Sequence, residues 1–178
     1  MAAIGIFFGT DTGTTRKIAK MMHKALGEEL ADKPLNINRI DADTLAGYDY
    51  LILGTPTLGE GQLPGLSSES QAESWEEFMP NFDDLDLAGK KVAVYGLGDQ
   101  VNYPDEFVDG LGELYDAVAE CGAEMVGAWP AEGYTFNASQ ALDEDEFVGL
   151  VLDNDNQSDQ HAERIEAWLN SVKSAFGV

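Results

Sequence analysis

Four stretches of the chain are continuously apolar: Ile4 to Phe8, Tyr50 to Leu53, Val92 to Tyr95 and Met125 to Trp129. A strand covered on both faces has no polar side to show, so such runs predict the central strands of a parallel sheet. Leu35-Asn36-Ile37-Asn38-Arg39-Ile40 partly alternates, as an edge strand does. Helical spacing fills the gaps: Ile18, Met21, Met22, Ala25 and Leu26 share one face, and Ile165, Trp168, Leu169, Val172 and Phe176 share another. Phe107, Leu111, Leu114, Val118 and Cys121 give a third such spacing, and Trp75, Phe78 and Met79 predict a short helix stopped by Pro80. Alternating strands and helices predict an α/β fold, a doubly wound five-stranded parallel sheet with helices on both faces. The strand order is left open by the pattern.

Residues Pro130 to Glu146 break this rhythm before a further apolar run, Phe147 to Leu152. Gly133, Tyr134, Phe136 and Asn137 make the segment too aromatic for a disordered linker and predict an ordered loop or small hairpin, an insertion that interrupts the last strand.

With 178 residues, 44% of them hydrophobic, the chain suits one domain spanning 1–178. Its apolar runs are too short to cross a bilayer and its start lacks a signal-peptide pattern, which points to the cytoplasm. Lone Cys121 is read as structural and His23 and His161 as surface residues. The net charge of -23 changes the picture most, because nucleic acid and anionic membranes are bound mainly through lysine and arginine. Neither is an expected partner, whereas a basic protein surface is.

Three loops at predicted strand ends carry the candidate chemistry. Thr10-Asp11-Thr12-Gly13-Thr14-Thr15 leads from a strand into a helix, where unpaired N–H groups and hydroxyls suit a phosphate. It has no lysine and fails the nucleoside-triphosphate pattern, so a small terminal phosphate held without magnesium is expected. The others are Gly54-Thr55-Pro56-Thr57-Leu58-Gly59-Glu60-Gly61 and Gly96-Leu97-Gly98-Asp99-Gln100-Val101-Asn102-Tyr103. Alone, each loop reads as ordinary turn chemistry. Asp153-Asn154-Asp155-Asn156-Gln157 fails as a calcium loop, since Ser158 replaces the glycine and Arg164 the final glutamate. No dinucleotide fingerprint, zinc set or catalytic triad is recognisable.

Together, the Thr-x-Thr-Gly-x-Thr loop, the Gly-Thr-Pro-Thr loop and Gly-x-Gly-Asp-Gln followed by tyrosine make the chain resemble the flavodoxins over essentially its whole length. The interruption from Pro130 resembles the long-chain branch, and Thr-Pro-Thr-Leu-Gly-Glu-Gly with Glu73 to Phe78 resembles flavodoxins of nitrogen-fixing bacteria. This implies the flavodoxin strand order 2-1-3-4-5, with a crevice where strands 1 and 3 diverge, flavodoxin being itself the standard example of ligand binding at such a switch point. It also implies noncovalent flavin mononucleotide (FMN), with the phosphate held by Thr10, Thr12, Thr14 and Thr15 and the amides of Asp11 and Gly13. Asp11 itself is expected to cap. Tyr103 is implied on one flavin face and Leu58, where many long-chain members have tryptophan, on the other. Asp99 is implied at the polar edge of the ring and Asp155 at the ribityl chain; Thr55, Pro56, Thr57, Gly59, Gly61, Gly96, Leu97 and Gly98 complete the implied cofactor-binding set.

The resemblance implies a low-potential one-electron carrier, not an enzyme, working as a monomer. Its implied partners present basic patches: a flavodoxin reductase, a pyruvate oxidoreductase and nitrogenase iron protein. The Gly59-Glu60 peptide is expected to turn as FMN gains an electron and a proton, because glycine tolerates positive φ. Adding the second electron beside a carboxylate at roughly 10 Å costs about 1.7 kcal/mol at an effective dielectric of about 20. That corresponds to roughly 70 mV per charge. The rival reading is an FMN-dependent NAD(P)H:quinone reductase; a phosphoacceptor regulatory domain fits poorly, because the first strand ends in Phe7-Phe8-Gly9-Thr10 rather than in acids.

Overall fold

A computed structural model describes residues 1–178. Parallel strands β1 (Ile4–Phe8), β2 (Leu35–Asn36), β3 (Tyr50–Pro56), β4 (Lys91–Leu97) and β5 (Glu124–Val126) lie in the order β2-β1-β3-β4-β5. That is the flavodoxin-like order expected. Each strand sorts its side chains by the two-residue period: Phe7, Leu51, Leu53, Val92 and Val94 enter one core, while Ile4, Ile6, Phe8, Ile52, Ala93 and Tyr95 enter the other. Helices α1 (Thr14–Leu26) and α5 (His161–Phe176) cover the second core; α3 (Trp75–Phe78) and α4 (Asp109–Glu120) cover the first, and short α2 (Ala42–Ala46) adds Leu45 to it. Because both faces are buried, the strands read as unbroken apolar runs.

Three local readings need correction. The edge strand ends after Asn36, whose Oδ1 accepts the Asn38 N–H and starts a 3-10 turn over Ile37–Arg39. Pro80 does not stop the chain from coiling; it sits in the first turn of a 3-10 segment, Met79–Asp83, where its missing N–H goes unneeded. The run Met125 to Trp129 is not one strand. It leaves the sheet at Gly127, whose carbonyl accepts the Trp168 indole N–H at 2.7 Å.

The insertion is ordered and forms a three-stranded antiparallel ribbon from β6 (Trp129–Pro130), β7 (Leu142–Asp143) and β8 (Glu146–Phe147). The chain then returns as β9 (Leu150–Leu152), which pairs with Tyr95–Leu97, while β5 pairs with Lys91–Ala93. The last strand is thus two half-strands on one edge of β4, and the second half delivers Asp153 to Asp155 to the carboxyl end of the sheet. Phe107, Tyr134, Phe136 and Phe147 pack ring to ring between insertion and core, with centroids 5.3–6.0 Å apart. Burial pushes the Tyr134 hydroxyl pKa up to about 12, and this hydroxyl donates to the Val151 carbonyl. No helix is long and apolar enough to cross a membrane. Cys121 is partly buried with its thiol within reach of the Phe82 and Ala117 carbonyls.

Candidate functional site

The carboxyl ends of β1, β3 and β4 open into a crevice of about 270 Å³. Its walls come from Thr10, Asp11, Thr12, Thr14 and Thr15; from Pro56 to Gly59; from Leu97, Gly98, Asp99 and Tyr103; and from Glu106 to Val108 with Asn154 and Asp155. Neither lysine nor arginine lines it.

In the first loop, Thr10 Oγ1 accepts the Gly13 N–H at 2.9 Å and bends the chain so that Gly13 starts α1 in the left-handed conformation. The amides of Asp11, Thr12, Thr14 and Thr15 find no acceptor in the protein. They lie at the positive end of a helix of 13 residues, a setting that favours an anion. The loop is backed from inside: buried Tyr95, its pKa raised by burial, donates to the Thr15 carbonyl at 3.2 Å. The Gly13 amide, unlike those of its neighbours, is engaged within the loop by Thr10 Oγ1. Asp11 is no helix cap; its Oδ1 accepts the Gln71 N–H at 3.1 Å and ties the loop to the segment after β3.

The second loop closes on itself through two reciprocal backbone bonds, Leu58 N–H to Gln62 O and Gln62 N–H to Leu58 O, each 2.8 Å. Gly59 (φ 52°) and Gly61 (φ 94°) inside it take left-handed conformations that a side chain would strain. The third loop leaves the Tyr103 ring 47% exposed beside the crevice. Asp99 folds onto its own turn, accepting from Val101 N, Asn102 N and Nδ2, and Asn156 Nδ2. Partial burial works to raise its pKa, and these bonds bring the net shift below the usual value. Asp155 is displaced upward, first by desolvation and then by the charges of Asp99 and Asp153.

Of the residues expected from sequence, Thr10, Asp11, Thr12, Thr14, Thr15, Pro56, Thr57, Leu58, Gly59, Leu97, Gly98, Asp99, Tyr103 and Asp155 come together at the crevice. Thr55, Gly61 and Gly96 stand behind the wall: Thr55 is wholly buried with its hydroxyl on the Pro56 carbonyl, Gly61 abuts Asp109 and Gly96 abuts Leu111. The sequence reading missed Glu106, Phe107, Val108 and Asn154. Phe107 reads as helix core, and nothing in the sequence marks the left-handed backbone of Val108 (φ 48°) that turns this stretch toward the crevice. Asn154 lay inside the failed calcium pattern. His161 is not a surface residue: it is buried, and its Nε2 pairs with Asn154 Oδ1 at 3.2 Å, supporting the same wall.

Comparison with known proteins agrees with this geometry. The family model described as flavodoxin matches residues 6–168. A flavodoxin of Klebsiella pneumoniae is 61% identical over 173 residues, covering 97% of this chain and 98% of that one. A flavodoxin of Synechococcus elongatus is 42% identical over 178 residues, with all of both chains covered. The crystal structure of Fusobacterium nucleatum flavodoxin bound to flavin mononucleotide superposes with a TM-score of 0.88 at 30% identity, covering 99% of each chain. Sequence, strand order and crevice therefore lead to one family, and the chain belongs to the flavodoxins, electron-transfer proteins rather than enzymes.

Proposed function

We propose that the chain is a low-potential one-electron carrier, a single domain over residues 1–178 that binds FMN noncovalently in this crevice. One observation carries the reading: acceptor-free amides and hydroxyls at residues 10–15 share a crevice with an exposed tyrosine ring and the aliphatic Leu58. The donor set fits the cofactor. Uncharged N–H and O–H groups suit a phosphate, and Tyr103 and Leu58 suit the two faces of a flat apolar ring.

When bound, FMN would supply a flavin that takes up and releases electrons singly. The protein's share is to hold and to bias it. Thr10, Thr12, Thr14 and Thr15, with the amides of Asp11, Thr12, Thr14 and Thr15, would hold the phosphate, and Asn154 and Asp155 would meet the polyol chain. The Leu58–Gln62 turn offers carbonyls whose direction can change at Gly59. Asp99, Glu106 and Asp155 surround the crevice with carboxylates and no cation, which disfavours added negative charge and lowers the potential.

A net charge of -23 suits docking to basic surfaces, with association slowed by salt. We assign a flavodoxin reductase and a pyruvate oxidoreductase as the partner class on that ground. The Thr57-Leu58-Gly59-Glu60-Gly61 run supports nitrogenase iron protein as an acceptor, with the protein acting as a cytoplasmic monomer. Reconstitution tests the reading. FMN-free protein titrated with FMN should give a stoichiometric yellow complex that releases FMN in acid and does not oxidise NAD(P)H alone. Failure to bind FMN, or rapid multiple turnover of NAD(P)H without a partner reductase, overturns it.

A further inference from the structure

We propose that Asp109 is a positioning residue that fastens the Leu58–Gln62 turn to the insertion through the first turn of α4, so that the insertion helps to shape the crevice. Its consequence for the cofactor rests on the FMN reading, but its geometry does not.

Asp109 is the first residue of α4 and is only 5% exposed. It has no ion-pair partner; the chain's two ion pairs, Lys90 with Asp49 and Lys91 with Glu124, do not involve it. Its Oδ1 accepts the Gln140 N–H at 2.7 Å, from the insertion. Its other oxygen lies against Gly61, so close that a side-chain carbon there would stand 2.8 Å from Oδ2. The neighbouring residues repeat this double attachment. Phe107 N–H donates to the Ala138 carbonyl of the insertion at 3.2 Å, and Gly110 N–H donates to Thr57 Oγ1 at 3.0 Å, at the entry to the turn.

An unpaired carboxylate is a costly filler for such a space. Its place at a helix N-terminus offsets part of that cost, and burial raises its pKa. What distinguishes the acid from an apolar residue of similar size is that one oxygen is bonded to the insertion while the other packs, without a hydrogen bond, against Gly61 of the turn. The backbone supports the same reading. Val108, just before it, is β-branched yet left-handed, a conformation that persists only where the surroundings over-determine it. Ties to the insertion and to the turn on adjacent residues supply that constraint.

The test is amide hydrogen exchange on the full FMN-free chain, read at Leu58, Gln62 and Gln140 against the central-strand amide of Val94. Asp109→Ala should speed exchange at Leu58 and Gln62 by about tenfold relative to Val94. Asp109→Asn, which keeps both the shape and an acceptor for Gln140, should restore most of the protection. Gln140→Pro, which removes the donor without touching the turn, should loosen Leu58 and Gln62 as well, and it decides the matter if Asp109→Ala does not fold. On FMN-loaded protein, the separation of the two one-electron potentials should change in Asp109→Ala and recover in Asp109→Asn. Faster exchange at Gln140 alone would reduce Asp109 to a local cap, and equal acceleration at Val94 would reduce it to general stability; either overturns the proposal. Failure of the wild-type chain to bind FMN would sink the functional reading and leave the exchange comparison standing.

Discussion

Gln100 and Asp153, 53 residues apart, meet twice: the main-chain N–H and the side-chain Nε2 of Gln100 both donate to Asp153 Oδ2, at 3.0 and 2.7 Å. The other end of the Gln100 amide accepts the Thr135 N–H at 2.6 Å. One side chain thus joins the tyrosine loop, the chain leaving β9 and the insertion. Asp153 is wholly buried, and its Oδ1 also accepts from the amides of Asp155 and Asn156.

Replacing Asp153 by Ala should therefore cost more than a surface change, because two buried donors of Gln100 and the part-buried amides of Asp155 and Asn156 lose their acceptor together. Hydrogen bonds to charged groups contribute about 1.5–3 kcal/mol each, and we expect a loss of about 3 kcal/mol or more. Urea denaturation of FMN-free protein should show a lower midpoint; an unchanged midpoint would contradict the role given to this junction.

Thr10→Ala removes the acceptor that holds Gly13 in its turn and one hydroxyl of the phosphate loop. The effect should depend on the phosphate: FMN binding weakens by roughly five- to tenfold, matching the loss of about one hydrogen bond, while riboflavin binding hardly changes. Fluorescence titration with both flavins reads this directly. Equal weakening of the two would place Thr10 outside the phosphate site.

Gly59→Ala penalises the left-handed backbone at the head of the Leu58–Gln62 turn by about 1–2 kcal/mol. If the Gly59-Glu60 peptide turns between oxidation states, the penalty falls on one state more than another. At least one of the two one-electron potentials then shifts by roughly 40–90 mV, and their separation changes with it. Spectroelectrochemical titration measures it, and an unchanged separation would rule out the turning peptide as the main control.

The pH dependence of stability has two limbs. Asp109 and Asp155 have folded pKa values raised, both first by desolvation and Asp155 also by Asp99 and Asp153. The folded state binds those protons more tightly, so stability grows as pH falls from neutrality through the raised values. Asp32 is held low by the Tyr48 hydroxyl and the Ala2 amide, and Asp41 by the Thr44 hydroxyl and amide. Their contribution is present above the unfolded value near 4 and is lost as pH falls through the lower folded values. Calorimetry of FMN-free protein should show Tm rising as the pH falls from neutrality toward the raised values and falling again below about pH 4. Asp155→Asn should raise Tm at neutrality and flatten the rise. A Tm that only declined on acidification would contradict this assignment.

The sequence by itself determined the central strands, the main helices and the chemistry of the loops. Continuous apolar runs mark β1, β3 and β4 because strands buried on both faces tolerate no polar side, and helical spacing marks α1, α4 and α5 for the matching reason. Hydroxyls without lysine at Thr10 to Thr15, and Tyr103 after a glycine-rich turn, carry their character in residue type alone. Tertiary structure decided what depends on contacts between distant segments. Asp11 bonds Gln71 rather than capping α1, His161 is buried behind Asn154, and the last strand is shared between Glu124–Val126 and Leu150–Leu152. The left-handed Val108 and the buried Asp109 could not be foreseen either, since a β-branched residue and an acid inside the helical spacing from Phe107 read locally as ordinary. Their conformation is imposed from the insertion and from the Leu58–Gln62 turn, through hydrogen bonds and close packing that no local pattern encodes.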